Sequence, residues 1–256
     1  MIFKISKYVV YDIVKSKIVI AYTLFLFVIS VGLFKMDENT SKGMLSLLNI
    51  ILIVVPLISV IFSTIHFYNA YEFTELLVAQ PLARKKILLS QFIGLSFSLA
   101  GAFYIGVGIP ILIFSPDTTG FTLLFTGIIL SVIFVALALL GSVLTKDKAK
   151  GVGIALMLWF YFVLIYDGLV LFILFTFSDY PLEKAMMIMI FLNPVDLARI
   201  MVLIKMDVSA LMGYSGAIFQ DFLGSFKGTL IAGLFLVTWI LVPIFFAVKT
   251  FEKKDL

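Results

Sequence analysis

Six stretches of this chain are apolar for long enough to cross a membrane, and no other feature limits its fold as much. They cover 18–34, 44–65, 92–114, 121–144, 152–177 and 228–248. A helix needs about 20 such residues to span the hydrocarbon core. Five of the six carry no charged side chain, and 152–177 carries one, Asp167. Of 256 residues, 62% are apolar and only 13% charged, against roughly 25% charged in soluble domains. A soluble fold of this length cannot hide so much apolar surface, and disorder needs the opposite composition. The expectation is an all-α membrane protein of six transmembrane helices, forming one domain over 1–256. The run 18–34 follows a long basic segment and is not followed by an A-x-A-like site, so it is read as an uncleaved span. No matched halves are visible, which argues against a carrier built on inverted repeats.

The basic residues fall unevenly between the two sides of such a bundle. Lys4, Lys7, Lys15, Lys17, Arg84, Lys85, Lys86, Lys146, Lys148, Lys150, Lys249, Lys253 and Lys254 would share one side. Lys35, Lys42, Lys184, Arg199, Lys205 and Lys227 would share the other. The richer side is cytoplasmic by the positive-inside rule, which places both termini there. No dense basic face exists for nucleic acid. Cysteine is absent and His66 is the single histidine, so thiolate and multi-histidine metal sites are excluded.

Three segments outside the spans carry most of the remaining information. Over 1–17, Ile2, Ile5, Val9 and Ile13 repeat at helical spacing opposite Lys4, Lys7, Tyr11 and Lys15. That is an interfacial helix with lysines toward anionic headgroups, either a plain anchor or an elbow that also touches a cytoplasmic partner. In the inner loop 66–91, Tyr71 to Ala79 reads as a short helix with Glu72 and Glu75 on one face. Phe73, Leu76 and Leu77 add an apolar patch. Pro81 pushes Gln80 out of helical geometry and ends it, and the cluster Arg84-Lys85-Lys86 follows. An acidic and apolar knob at this place suits docking of a soluble protein; the alternative is an amphipathic loop that only sets topology. The outer segment 178–227 is too small for an independent core. In it Asn193 suits a helix N-cap, Pro194 the first turn and Asp196 the positive helix end.

Two of these runs carry a family resemblance. The stretch Glu72-Phe73-Thr74-Glu75-Leu76-Leu77-Val78-Ala79-Gln80-Pro81-Leu82-Ala83-Arg84 resembles the segment E-x-x-T-x-E-x-L-L-S-Q-P-V-S-R that follows the second span of ABC-2 type permeases. Ala79, Leu82 and Ala83 depart from its Ser, Val and Ser, and the acidic and Thr positions match only in approximate spacing. Asn193-Pro194-Val195-Asp196-Leu197-Ala198-Arg199 resembles the N-P-x-D-x-x-R element before the last span of Nos-type permeases, which serve copper-site maturation of nitrous oxide reductase.

The resemblance implies a transport subunit rather than an enzyme, set in the bacterial cytoplasmic (inner) membrane among its lipids. It implies a cytoplasmic coupling helix that works with a separate ABC ATPase subunit. Glu72, Glu75, Leu76, Leu77, Gln80, Pro81 and Arg84 would couple to that subunit, which would hold ATP and Mg; this chain would hold no cofactor. It also implies a second permease copy in a homodimer. A periplasmic partner protein would dock on Asn193, Pro194, Asp196 and Arg199. The cargo would be a sulfur or copper-related species; a generic exporter of a drug, lipid, peptide or ion is the alternative within the family.

The residues leave other chemistry open or closed as follows. Met186, Met187, Met189, Met201, Met206 and Met212 cluster in the outer segment, where packing ranks ahead of partner docking, and docking ahead of contact with Cu(I). Asp167, as an acid in an apolar span, is a candidate pathway residue; the alternative is a hydrogen-bonded position at an interior seam. An ion-coupled carrier built on Asp167 is the reading from a different class. No G-x-x-x-x-G-K-[ST], H-E-x-x-H or G-x-S-x-G occurs, so neither P-loop ATP binding nor covalent catalysis has a motif here. Gly94, Gly101, Gly106, Gly108, Ala138 and Ser142 permit close helix approach.

Overall fold

A computed structural model describes residues 2–36, 40–80, 82–177, 180, 182–206, 219–220 and 222–253. Among them are six helices long and apolar enough to span a membrane, and no strand. An amphipathic helix α1 (Ile2–Val14) leads into α2 (Lys17–Met36) and α3 (Thr40–Asn69). The short α4 (Tyr71–Val78) precedes α5 (Arg84–Phe114), α6 (Thr118–Leu144) and α7 (Lys148–Thr176). Two shorter helices, α8 (Glu183–Leu192) and α9 (Pro194–Lys205), come before α10 (Phe226–Lys253). The spans outrun their apolar cores chiefly at the basic end, where Lys17, Arg84 and Lys148 stand in first turns. Lysine and arginine extend a helix well and can keep their charge in water.

The order of burial sets the architecture. In α6, 78% of the apolar window is buried, against 17% in α7. α6 is therefore the axis, with α3, α5, α9 and α10 packed around it, and α7 presents most of its apolar surface outward. Local chemistry fixes both ends of the axis. Asp117 Oδ1 accepts from Gly120 N at 2.8 Å and opens α6. Asp147 Oδ1 accepts from Lys150 N at 2.8 Å and opens α7. These bonds satisfy amides that a helix start leaves without partners. Tyr68 closes the basic end: its hydroxyl bonds Thr145 Oγ1 and donates to Ser142 O at 3.2 Å.

Two segments outside the six spans pack on the bundle. The apolar face of α1 lies on protein rather than in lipid, because Ile5, Val9 and Ile13 are buried against α5. Gly94 of α5 makes room for it: a β-carbon there would stand 2.6 Å from Val9 Cγ1. The second lies within 178–227, of which 180, 182–206, 219–220 and 222–227 are described. α8 and α9 meet at 112°, and α9 buries Val195, Leu197, Ala198, Ile200 and Val202 against the bundle. A segment this apolar, broken once at a capping Asn-Pro, lowers its exposed surface by folding back between the spans. The tip at Asn193 reaches Phe162 of α7. That is about 21 Å below Thr176 at ~1.5 Å per residue.

Candidate functional site

The folded-back hairpin brings together residues that the sequence keeps about 30 positions apart. Asn193 caps α9, its Oδ1 accepting from Val195 N at 3.0 Å. Its Nδ2 donates to Phe162 O and to Asp196 Oδ2, each at 2.9 Å. Phe162 lies in a π-helical turn of α7, Tyr161–Ile165. Such a turn interrupts the regular ladder and frees carbonyls for outside donors, so the same irregularity that widens α7 supplies the acceptor for the hairpin tip.

A charge cluster stands just above this tip. Arg199 Nη1 lies 2.9 Å from Asp167 Oδ2 on α7 and 3.0 Å from Asp196 Oδ1 on its own helix. Asp196 and Arg199 are three residues apart, which stacks them on one helix face. Two carboxylates share one guanidinium in apolar surroundings. Asp167, Asp196 and Arg199 open on a cavity of about 360 Å³ whose other walls include Leu171, Met186, Ile200 and Phe219. Tyr166 donates to Met189 O at 2.6 Å and Trp239 to Phe191 O at 3.1 Å, so α7 and α10 grip α8 from two sides.

The structure thus joins Asp167, expected as a pathway residue, with Asn193, Asp196 and Arg199, expected to meet an extracytoplasmic partner. Asn193, Pro194 and Asp196 are buried and present little surface to a partner. Sequence reading missed the pairing itself. The signal was there: a lone acid in a span and a lone arginine in an apolar segment each require an opposite charge. Of the methionines, Met186 reaches the cavity and Met201 is buried in the inner face of α9. Met212 lies outside the described residues. Among the described residues, no group of three or more His, Asp or Glu side chains could hold a metal ion.

The second site is at the basic end, where α4 is anchored on one face and open on the other. Thr74 and Leu77 are buried, and Gln91 Nε2 of α5 donates to Thr74 Oγ1 at 2.8 Å. Glu72, Phe73, Glu75, Leu76 and Gln80 are exposed, with Leu76 at 68%. Leu77 faces the bundle, so Leu76 and Phe73 make up the apolar part of the open face. Tyr71 and Glu75 face one another. Partial desolvation, and then the Glu75 carboxylate, hold the Tyr71 phenol above its ordinary value. Arg84 Nη1 donates to Glu252 O of α10 at 3.4 Å, tying the chain after α4 to the last span. Pro81 lies outside the described residues.

The comparisons with known proteins agree with this architecture. The family model described as ABC-2 family transporter protein matches residues 32–256. The probable ABC transporter permease protein NosY of Pseudomonas aeruginosa is 35% identical over 148 residues, 54% of this chain and 54% of that protein. The protein of the same description from Stutzerimonas stutzeri is 29% identical over 201 residues, 70% of this chain and 67% of that protein. The chain therefore spans about half the length of the first relative and two thirds of the second.

Proposed function

The chain belongs to the ABC-2 family of transporter proteins, and we propose that it is a membrane permease half that a separate ATPase drives through α4. As an ABC-2 permease it is a transport subunit and a multi-pass membrane protein, and its family implies an ABC ATPase partner. The finer reading is ours. Two copies form the pathway in the cytoplasmic (inner) membrane, with both termini in the cytoplasm. Two ATPase subunits holding ATP and Mg dock below, on α4 and beside α1. Nucleotide binding there biases two arrangements of the bundle, and the permease transmits the change to the far side.

The observation that carries this reading is the asymmetry of α4. A helix of eight residues is too short to be stable alone. Here the Thr74–Gln91 bond and the burial of Leu77 fasten it to α5, while Glu72, Glu75 and Leu76 project outward. Force applied to the open face passes directly into a span. At the other end, the hairpin clasped by the Asp167–Arg199 pair forms one wall of the pathway. A lone unpaired Asp167 would have favoured an ion-coupled carrier; its pairing with Arg199 supports the seam reading instead.

We further propose, on the likeness to proteins described as NosY, that the cargo is a sulfur or copper-related species used in copper-site assembly of nitrous oxide reductase, passed to a periplasmic partner. The test is purification of the native complex in mild detergent, with mass spectrometry of retained chains, for wild type and Leu76→Asp. The expected result is a P-loop ATPase bound to wild type and lost from the variant, with a secreted protein also retained. An ATPase without a secreted partner would leave a generic exporter ahead. Absence of any ATPase, even after crosslinking, would overturn the coupling role of α4.

A further inference from the structure

A second cavity, of about 630 Å³, lies at the basic end between α1, α3, α4 and α5. Its lining is sorted by depth. Asn69, Asp12, Lys15 and Ser16 stand at its outer edge, where α3 ends and α1 turns into α2. Phe62 and Ile65 line it one to two turns back along α3, and Ile13 and Ile18 add apolar surface beside the α1–α2 turn. Phe62 is seven residues inside Asn69, about 10 Å at ~1.5 Å per residue. Polar groups at the level of the helix ends and apolar groups one to two turns inward match the profile of a phospholipid.

The polar atoms narrow the headgroup. His66 Nε2 faces Asp12 Oδ2 at 3.4 Å, so Nε2 carries the proton and Nδ1 is left as an acceptor. Nδ1 makes no hydrogen bond, and neither does Gln91 Oε1, whose residue is only 2% exposed. The amide of Gln91 cannot be turned round to relieve this. Thr74 Oγ1 already gives its proton to Ala70 O, so it takes the Gln91 Nε2–H. The two buried lining atoms left without a partner are therefore both acceptors, and Asp12 adds a carboxylate beside His66. Lys15 supplies positive charge at the rim, its ammonium 3.9 Å from the centre of the Tyr11 ring.

We propose that this cavity binds an ethanolamine phospholipid, with its ammonium at Asp12, its phosphate at Lys15 and Ser16, and an acyl chain along Phe62, Ile65 and Ile18. A primary ammonium brings N–H donors and positive charge to a cavity whose unpartnered atoms are acceptors. A trimethylated choline headgroup brings the charge without donors. Phe73 of α4 forms part of the cavity wall, so an occupied cavity packs against the coupling helix at the edge of its open face.

The experiment uses the full-length chain, delipidated in detergent and examined by native mass spectrometry. It is offered ethanolamine, choline and glycerol phospholipids of identical acyl chains, and free phosphoethanolamine. The expected result is one ethanolamine lipid per chain, held at least about tenfold more tightly than the choline lipid. Asp12→Asn, an exposed change that leaves packing alone, should remove most of that preference. Lys15→Gln should weaken all phospholipids together. Equal retention of choline and ethanolamine lipids, or an Asp12→Asn chain with wild-type preference, would overturn the assignment. Free phosphoethanolamine binding as tightly as the lipid would also overturn it, since the acyl chain would then contribute nothing.

Discussion

At the basic end of the bundle the charged side chains of α1 and α4 stand outside, each in reach of water. At the other end three charges are drawn between helices, partly out of water, where they pair with one another and with Asn193. Glu72 and Glu75 can be satisfied by solvent; Asp167 and Asp196 share a single arginine as their counter-charge. The contrast separates two ways of building a site. An exposed charge shapes what a surface can dock without deciding the fold. A partly buried cluster helps decide where a mobile element sits, because separating its members strands a charge in apolar surroundings.

The largest effect is therefore expected at Arg199. Arg199→Met leaves two carboxylates facing one another beside an apolar cavity, at a cost of about 3 kcal/mol, the low end for a broken buried pair because the cluster keeps some exposure. Thermal unfolding in detergent should register that loss. The triple variant Arg199→Met, Asp167→Asn, Asp196→Asn should recover most of it. A single variant as stable as wild type would show that the cluster does not hold the hairpin.

Next in size is the packing of α1. A β-carbon at Gly94 meets Val9 Cγ1 at 2.6 Å and Val9 Cβ at 2.7 Å, with Ser6 O at 3.3 Å behind them. Gly94→Ala should cost about 1–3 kcal/mol by overpacking, and should free α1 for limited proteolysis before the spans unfold. Val9→Ala in the same chain should restore only part of the protection, since it removes Cγ1 but leaves Cβ 2.7 Å from the new methyl. If α1 instead lay free on the lipid surface, neither change would alter its cleavage.

Asn193→Ala comes third. It removes the cap of α9 and the bond to Phe162 O, a loss of about 1–2 kcal/mol. Hydrogen exchange should rise first in α9 and in the turn around Phe162. Asn193→Ser keeps a capping oxygen and loses the Nδ2 donor to Phe162 O and Asp196 Oδ2 without adding charge, so it separates capping from anchoring.

The same contrast explains how much could be read from sequence. Spans were legible because apolar runs of span length admit few other folds, and α4 was legible because a helical pattern stops at Gln80-Pro81. The cap at Asn193 was legible too, since it depends on neighbours in the chain. The hairpin was not. Whether 194–205 lies outside or folds between spans depends on α6, α7 and α10 being there to receive it, and no local pattern encodes that. The Asp167–Arg199 pair was half legible: each residue announces a missing partner, while the hairpin alone brings them together. Likewise, Ile5, Val9 and Ile13 announce an apolar face; only Gly94, some 85 positions later, says that protein rather than lipid covers it.

The smallest effect on stability should come from Glu72→Gln with Glu75→Gln, and it bears most directly on the contrast between the two ends. Both carboxylates are exposed, so their removal should change stability by no more than about 0.5 kcal/mol. The same two-carboxylate change at Asp167 and Asp196 leaves Arg199 uncompensated and should cost several times more. Function should split the other way. The Glu72 and Glu75 variant, folded and inserted as wild type, should lose most of its ATPase in pull-down, because docking charges act on encounter and orientation rather than on the fold. Measuring melting temperature and retained ATPase on both double variants puts the two ends on one scale. If the α4 variant unfolds early while keeping its ATPase, the charges of that end serve the fold after all, and the division between a docking end and a clasping end fails.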